Sequence, residues 1–338
     1  MIQKTKNIPQ EDRSWEKIIM KYNRPDLRKS IWQILNTLIP YVGIWYLMVL
    51  SLQYPYWITL LLSLPASGLL IRAFIIFHDC GHGSFFRTRK ANEILGRIIG
   101  VLVFTPHSPW HQSHRVHHAT SGNLDKRGVG DVWTLTLEEY KTRSKRDQFL
   151  YRMYRNPFVM FVLGPVYMVL FRNRVTTKRM SRQDRLDVYT TNLGLFLTAS
   201  VLSLLLGVKA YLLIQVPIIM IAHFLGIWLF YVQHQYDEVS WERGQQWDYK
   251  TAALSGSSFL KLPSVLQWFT GNIGFHHVHH LSSKIPNYNL ARCHYENDLF
   301  QVVKPITLLS SFRSLRLRLW DETTRQMISF RKMTILCR

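Results

Sequence analysis

The chain has 338 residues, a mean hydropathy of −0.04 and a formal net charge of +21. This length would allow two soluble domains, but charged residues are missing from two long stretches. No Asp, Glu, Lys or Arg occurs from 31 to 71, and Lys209 is the only one from 188 to 236. The positive charge is accompanied by no RNA- or DNA-binding motif. Composition therefore argues against a soluble globular protein and against a nucleic-acid-binding one.

Residues 14–30 interleave basic side chains with apolar and aromatic ones (Trp15, Ile18, Ile19, Met20 and Tyr22). This composition is typical of a helix that lies on a membrane surface, and a solvated basic tail is the alternative. No compact apolar run precedes a small-residue cleavage site, so we expect no secretory signal peptide.

Each of the two charge-poor stretches is long enough for two membrane-spanning helices, since one span needs about 20 apolar residues. The predicted spans, separated by turns at 53–55 and 207–209, are 31–52, 56–77, 188–206 and 211–232. Pro40, Pro65 and Pro217 lie inside them, and membrane helices tolerate proline where neighbouring helices compensate for the lost backbone hydrogen bond.

The distribution of positive charge predicts the orientation in the membrane. Lys and Arg are concentrated in three segments (4–30, 87–185 and 313–338), while the short turns between spans carry a single lysine. Cytoplasmic segments of membrane proteins are enriched in these residues. We therefore expect a multi-pass cell-membrane protein with both termini, the loop 83–187 and the tail 237–338 in the cytoplasm.

The predicted cytoplasmic part contains recognisable segments. Two apolar stretches, 94–104 and 157–171, are short for a span and are typical of re-entrant, interfacial or buried segments. Residues 121–131 (SGNLDKRGVGD) are rich in Gly and Asp and predict a loop. The tail is expected to form a compact helical lobe. The predicted fold class is all-α: a single domain, 1–338, with four transmembrane helices and a cytoplasmic helical cap that carries the histidines described next.

Histidine is concentrated in three short boxes. They are HDCGH (78–82), HRVHH (114–118) and HHVHH (276–280), and they hold nine of the 14 histidines. Spacings of three and four residues put side chains on one face of a helix, about 5–6 Å apart. The first box follows the second predicted span, His234 ends the fourth, and the other boxes lie in the loop and the tail. All are therefore expected on the cytoplasmic side.

Converging imidazoles indicate a bound metal, but nine are too many for one zinc ion, which takes four ligands or three and a water. The set suggests two metal ions with four or five ligands each, and imidazole alone does not name the metal. Iron that activates O2 beside apolar helices is suited to attack on an unreactive C–H bond. Soluble di-iron bundles use Glu-rich ligands, which this chain lacks, so such a site would be histidine-rich. The cysteines show no spacing typical of disulfides or zinc sites (Cys80, Cys293 and Cys337).

The boxes, their order and the four-span topology resemble the membrane-bound fatty acid desaturases of the histidine-box di-iron family. The segments IIFHDC, NLDKRGVGD, YRNPF, FYVQH, GSSFLKLP, GNIGFHHVHHLSSKIPNY and RLWDE are similar to those of its bacillus-type acyl-lipid delta-5 branch. The resemblance extends over about residues 29–322. The boxes alone are shared with alkane, xylene and sphingolipid hydroxylases and with carotenoid oxygenases.

The resemblance implies two iron ions, O2 as co-substrate, and nine ligands: His78, His82, His114, His117, His118, His234, His276, His279 and His280. In the third box the HxxHH spacing selects His276 over His277. No catalytic residue beyond the metal ligands is predicted. His111 either joins the ligand face or contacts solvent or headgroups, and His223 either contacts substrate or bonds to a neighbouring helix.

Two further groups of side chains have two interpretations each. Metal-bound histidines usually donate their second N–H to a carboxylate, so three aspartates near the boxes are outer partners of the ligands, or else caps and solvated charges (Asp79, Asp125 and Asp131). Three tryptophans line an acyl channel or else pack in the core and the interfacial belt (Trp110, Trp133 and Trp268).

The activity that the resemblance implies is insertion of a cis double bond into an acyl chain esterified in a membrane phospholipid, which adjusts membrane fluidity, notably in the cold. No cytochrome b5-like HPGG segment or Cys-rich ferredoxin module occurs in the sequence. We therefore expect a separate electron donor, a ferredoxin or flavodoxin, on the basic cytoplasmic face. The alternatives are a hydroxylase on the same scaffold, a metal transporter with histidines near the bilayer midplane, and a membrane cytochrome with histidine haem ligands.

Overall fold

The computed structural model describes residues 14–336, so the remainder of the N-terminal basic segment and Cys337 lie outside the described residues. The helices up to the fourth span are α1 (Ser14–Met20), α2 (Leu27–Ser51), α3 (Trp57–His82), α4 (Arg89–Leu102), α5 (His107–Thr120), α6 (Leu137–Thr142), α7 (Lys145–Tyr154), α8 (Val159–Arg172), α9 (Arg182–Leu206) and α10 (Val208–His234). The tail contributes α11 (Tyr249–Ser255), α12 (Ser264–Phe269), α13 (His276–Leu281), α14 (Asn287–Tyr295), α15 (Asp298–Gln301), α16 (Leu308–Ser314) and α17 (Phe330–Leu336). The strands are β1 (Leu135–Thr136), β2 (Phe259–Lys261), β3 (Pro305–Thr307), β4 (Leu319–Asp321) and β5 (Gln326–Ile328).

Four of these helices, α2, α3, α9 and α10, are long and apolar enough to cross a membrane, which confirms the predicted number of spans. They expose large apolar side chains that would be unfavourable in water: Phe196 is 68% exposed and Leu204 is 86% exposed. Such a surface is suited to contact with lipid. A helix can cross the bilayer because its backbone hydrogen bonds are satisfied within the helix. The predominantly helical class predicted from the sequence is confirmed.

Each of the four helices extends beyond its predicted apolar span at one end or both, and polar residues cap the starts of α2 and α9. α2 begins at Leu27 because the Asp26 carboxylate accepts hydrogen bonds from the backbone N–H groups of Arg28 and Lys29, at 2.9 and 3.2 Å. At the start of α9, Ser181 and Asp184 form a capping box. A boundary placed where charges stop therefore misses the polar turns that belong to the helices.

α3 is the central helix and packs against both α2 and α10. Met48, Leu70 and Ile218 are at most 2% exposed in the core that these three helices share. Small residues let the backbones approach closely: Ser67 Oγ donates to the carbonyl of Ile218, 3.0 Å away. α3 and α10 run in the same direction through the membrane domain and end at the same face. His82 and His234, their last residues, therefore lie on one side.

The structure differs from both alternatives predicted for residues 14–30. α1 is neither a solvated tail nor only a surface helix, because Ile19 and Tyr22 are buried against the tail helices, in a cluster with Leu290 and Cys293. The Tyr22 hydroxyl also donates to Glu296 Oε2 at 2.7 Å. Because basic residues surround Ile19 and Tyr22, the sequence did not indicate that these two side chains pack against the C-terminal lobe.

The central loop contains two of the predicted short apolar segments as helices. α4 exposes Ile94 and Ile98 and buries Ile99 on its other face, a distribution typical of an interfacial helix. α8 meets α7 at an angle of 63°. Residues 121–131 form turns, as predicted.

The C-terminal lobe is not purely helical, which corrects the expectation for the tail. β1 of the central loop pairs in parallel with β4, and β4 pairs antiparallel with β5, so loop and tail share a three-stranded sheet. β2 and β3 form a second, parallel pair. Strands of two or three residues are too short to produce a detectable alternation of apolar and polar residues.

Gly96 on α4 packs closely against the ring of His107 at the start of α5. A Cβ at this position would lie 2.4 Å from the ring of His107, so Gly96→Ala is expected to destabilise the protein by about 1–3 kcal/mol. The control is Gly43→Ala on α2, where nothing lies within 4 Å and a gain of about 0.4–1 kcal/mol is expected. Thermal melting of the purified proteins measures both, and equal melting temperatures would contradict the argument.

Candidate metal centre

The first histidine box occupies the end of α3, where His78 and His82 are four residues apart and therefore on one helix face. Their side chains are buried, at 3% and 7% exposure. Gly83 ends the helix with φ = +64°, in the left-handed region that glycine adopts without the steric cost of a Cβ. The chain can thus turn away directly after the second ligand candidate.

The second and third boxes lie on the short helices α5 and α13, which face the ends of α3 and α10. The structure buries every candidate that they contribute (His114, His117, His118, His276, His279 and His280). A sharp turn precedes α13: Gly271 and Asn272 both have positive φ, 51° and 59°. His234 is the last residue of α10 and is 5% exposed.

The nine predicted ligands form two separate sets, and each set brings one ring nitrogen of every member within 4.8 Å of the others. The five-histidine set is His78, His82, His114, His118 and His279. The four-histidine set is His117, His234, His276 and His280. α5 and α13 each contribute to both sets, because positions 114 and 118 share a helix face that position 117 does not, and position 279 likewise faces away from 276 and 280.

Hydrogen bonding on the outer side of the rings determines what they present to the centre of each set. His117 Nδ1 bonds to the Asp131 carboxylate, and His234 Nδ1 lies 3.1 Å from the carbonyl oxygen of Gly256. Carbonyl and carboxylate oxygens only accept, so both Nδ1 atoms carry the hydrogen. A neutral imidazole has a single N–H, and the two Nε2 atoms therefore present lone pairs to each other at 3.0 Å. A cation between them would turn this repulsion into attraction.

The remaining distances fit the same conclusion. Nε2 atoms are 3.1 Å apart for His78 and His114, and 3.0 Å apart for His118 and His279. Two nitrogens bound to one metal at about 2.0–2.1 Å, at 90–109° to each other, lie about 2.9–3.4 Å apart. His82 contributes a buried Nε2 without a hydrogen-bond partner among the described residues. The residues present fit a metal ion in each set.

Burial also favours the protonation state that metal binding requires. Removal from water lowers the pKa of five of the box histidines well below the ordinary value, and neighbouring rings lower it further (His114, His118, His276, His279 and His280). These side chains are consequently neutral at pH 7, with a lone pair to donate.

Asp79 connects the five-histidine set to the rest of the fold. Its Oδ1 lies 3.1 Å from His78 Nδ1, and its Oδ2 accepts two hydrogen bonds from Asn287, from the backbone N–H at 2.7 Å and from the side chain at 2.8 Å. Asn287 Oδ1 in turn accepts from Gln33 Nε2 at 2.9 Å. A chain of bonds thus links α2, α3 and α14 to one ring, which orients the ring as such outer partners do in metal sites.

Asp131 is expected to perform the same task in the four-histidine set, and Asp131→Asn tests it. The amide would give His117 Nδ1 a poorer acceptor and a competing donor, so we expect metal affinity and activity to fall about 10–100-fold. Asp125→Asn is the control, because Asp125 faces solvent and accepts from Arg243 at 2.8 Å and from the backbone N–H of Gly244. Metal content and desaturation in membranes measure the two. Equal losses in both variants would refute a specific role for Asp131.

Five histidines lie outside both sets, and three of them were considered in the sequence analysis: His111, His223 and His277. His111 Nδ1 is buried without a partner among the described residues, and its ring centre is 6.4 Å from that of His82. His277 points away, with its Nε2 3.0 Å from His294 Nδ1. His223 Nδ1 donates to the carbonyl of Ile219 on its own helix, at 3.0 Å, rather than to a neighbouring helix.

The candidate tryptophans separate in the same way. Trp110 stacks on His114 with ring centres 4.6 Å apart and lies against the metal centre. Trp133 packs on Tyr151, and Trp268 contacts the Arg72 guanidinium at 4.1 Å, so both have structural contacts away from it.

Arg155 is a residue that sequence reasoning missed. It is 1% exposed, and its guanidinium donates to the carbonyl of Trp133, to the hydroxyl of Tyr231 and to Gln235 Oε1, at 3.0, 3.1 and 2.7 Å. A further bond reaches the carbonyl of Leu317 at 2.9 Å. Gln235 directly follows His234, so Arg155 holds loop, fourth span and tail together beside the four-histidine set. Its position within YRNPF, next to an apolar segment, was the only sequence signal.

Four apolar helices and two buried histidine sets at their ends define a membrane protein able to hold metal. The family model described as Fatty acid desaturase matches residues 53–302. The chain is 48% identical to the fatty acid desaturase of Bacillus subtilis (strain 168), over 96% of this chain and 92% of that protein. The chain belongs to the fatty acid desaturase family, and it is an enzyme that desaturates fatty acids. The family-level resemblance is confirmed; the Bacillus name states no double-bond position.

More distant relatives carry more specific names. The chain is 27% identical to the sn-1 acyl-lipid omega-3 desaturase (ferredoxin) of Synechocystis, over 69% of this chain and 64% of that protein. It is also 27% identical to the acyl-lipid omega-3 desaturase (cytochrome b5), endoplasmic reticulum, of Arabidopsis thaliana, over 74% of this chain and 63% of that protein. Acyl-lipid substrates and two kinds of electron donor thus occur among its relatives.

Proposed function

We propose that this protein introduces a cis double bond, at delta-5, into acyl chains esterified in membrane phospholipids. The overall reaction takes two hydrogens from adjacent methylenes, and O2, two external electrons and two protons complete it to give two waters. The observation that carries the proposal is the pair of histidine sets at the ends of α3 and α10, the side that we propose to be cytoplasmic. The nine histidines would hold two iron ions, and bound iron would supply the activation of O2.

The apolar walls around the two sets support a lipid substrate. Phe77 packs on Trp110 with ring centres 4.9 Å apart, and Trp110 in turn stacks on His114. Phe230 lies 5.2 Å from His117 and 5.4 Å from His234, measured between ring centres. The faces of these aromatic rings exclude water and offer apolar contacts to methylenes. Asp79 and Asp131 hold the imidazoles in fixed orientation while the chain is positioned.

The alternatives fit the arrangement less well. A transporter would have ligands near the bilayer midplane, whereas these sets form at the helix ends. A haem needs two histidines with a macrocycle between them, and four or five ring nitrogens within 4.8 Å leave no space for one. A hydroxylase on the same scaffold would remove one hydrogen and transfer oxygen to that carbon, instead of removing a second hydrogen. The test below distinguishes the two reactions by their products.

Electrons are supplied from outside the chain in this proposal. The donor would be a ferredoxin or flavodoxin, and the net charge of +21 favours an acidic partner. Relatives named for ferredoxin and for cytochrome b5 support an external donor in general. Adjustment of membrane fluidity in the cold is the physiological role that we propose.

The test is the fatty acid profile of a host that expresses the protein, with double-bond positions located by mass spectrometry. We expect a new monounsaturated chain with its double bond at carbon 5, recovered from the phospholipid fraction. A double bond elsewhere would refute delta-5 specificity, and hydroxylated chains alone would favour the hydroxylase. Phospholipids unchanged in the presence of iron and a reductant would contradict the proposed reaction.

A further inference from the structure

A basic cavity of about 410 Å³ opens beside the five-histidine set, at a place that the proposed reaction does not use. It lies between the linker that joins α1 to α2 and the loop that joins α3 to α4. Its lining is Asn23, Arg24, Pro25, Gly83, Phe86 and Arg87. Arg87 Nε donates to the carbonyl of Pro25 at 3.4 Å and connects the two sides.

The cavity lies at the end of the membrane-spanning helices, where we expect lipid headgroups. α2 begins at Leu27 and the antiparallel α3 ends at His82, so the linker and the loop mark one surface of the membrane domain. Immediately beyond the cavity, Leu27 and Trp32 are 61% and 66% exposed, as lipid-facing residues are. A phospholipid packed against this part of α2 would have its phosphate at the cavity.

The side chains at the cavity carry a net positive charge. Arg24 and Arg87 are both exposed, and neither takes part in a salt bridge among the described residues. Lys284 Nζ adds a third positive charge, 3.6 Å from the Cβ position of Gly83. Asp26, the acidic side chain of the linker, caps α2 through Oδ1 and keeps its negative charge, so three basic side chains stand against one carboxylate. An arginine guanidinium binds phosphate through two parallel N–H···O hydrogen bonds. Basic pockets near the membrane surface bind lipid headgroups.

We propose that this cavity binds the phosphodiester of the phospholipid whose acyl chain is desaturated, with Arg24 and Arg87 as its ligands. The proposal rests on the proposed function and deepens it. Lys284 Nζ donates to the carbonyl of His82 at 2.6 Å, and Gly83 directly follows that ligand candidate, so the phosphate would be anchored beside the metal centre. An anchored phosphate would place the carboxyl end of the acyl chain at a set distance from the metal centre, and the proposed delta-5 position is measured from that end.

The test compares a double variant with a charge-matched control. Arg24→Gln with Arg87→Gln removes both phosphate ligands, whereas Arg28→Gln with Arg89→Gln removes the same charge at the same interface outside the cavity. The purified full-length chain in a maltoside detergent is titrated with dihexanoyl phosphatidylglycerol. We expect the first variant to bind at least 10-fold more weakly than the wild type, and the control to bind within twofold of it. Arg24→Lys with Arg87→Lys should recover part of the affinity.

Two further titrations distinguish the source of the phosphate. Dihexanoylglycerol, which has no phosphate, is expected to bind the wild type and the double variant equally. Inorganic phosphate that binds the wild type as tightly as the phospholipid does would overturn the lipid assignment. Equal weakening in the double variant and the control would also overturn the proposal, because it would show only a general attraction between charges.

Activity then separates this inference from the proposed function. In membranes the double variant is expected to raise KM for phospholipid at least fivefold, with kcat within twofold of the wild type. Wild-type protein that binds the phospholipid but forms no double bond would refute the proposed function and leave the binding result intact. A double variant that binds and desaturates like the wild type would refute the headgroup site alone.

Discussion

Replacing His118 with alanine is expected to abolish desaturation, a loss of more than about 100-fold, and to reduce the iron bound by the purified protein by about half. Loss of an outer partner of a ligand typically costs 10–100-fold, and loss of the ligand itself should exceed that. His118 Nε2 lies 3.1 Å from His114 Nε2 and 3.0 Å from His279 Nε2, in the middle of the five-histidine set. Its removal opens that set and leaves the four-histidine set complete.

His280→Ala is the matched experiment in the four-histidine set, and it should give the same loss of activity with the other half of the iron retained. Iron content measured by mass spectrometry of the purified proteins, together with the fatty acid profile, provides both readouts. His111→Ala is the control, since its ring is nearby but outside both sets. Full iron content in the His118 variant would contradict the assignment of the two sets. So would a loss of iron in the His111 variant as large as that in the His118 variant.

Arg155→Met is expected to be the most destabilising substitution of a residue that is not a proposed metal ligand. Its removal leaves two acceptors, the carbonyl of Trp133 and Gln235 Oε1, without their donor, and each buried unsatisfied group costs about 1–3 kcal/mol. The total for the two acceptors is on the order of 2–6 kcal/mol. Arg155→Lys should recover only part, because a compact ammonium has three donors and cannot span acceptors on loop, helix and tail.

The apparent melting temperature of the purified protein in detergent measures this effect at a fixed heating rate. Arg152→Met is the control: Arg152 lies three residues earlier, is exposed, and donates to the Tyr140 hydroxyl at 2.6 Å. We expect its melting temperature to stay within about 1–2 °C of the wild type, corresponding to about 0.5 kcal/mol or less. If the two variants melted together, the network around Arg155 would not hold the lobe to the fourth span.

Patterns that are local in the chain were readable from the sequence. The number of spans follows from the charge-poor stretches, because a span needs about 20 apolar residues and a charged side chain inside lipid is costly. The nine ligand candidates follow from box spacing and from the family resemblance, and all nine are the residues that the structure brings together. His234, a lone histidine, had no box to mark it, and only the resemblance identified it.

Relations between distant segments were decided by the tertiary structure alone. The division into sets of five and four depends on how α5 and α13 rotate against α3 and α10, and no spacing within a box encodes that rotation. Asp131 and Asp125 look equivalent in the sequence, yet only Asp131 reaches a ring, because the loop folds back onto α5. The short strands that join loop to tail pair Leu135 with Leu319, and Arg155 bonds to Tyr231, 76 positions further along the chain. Such contacts depend on packing of the whole chain, and their residues carry no local signal.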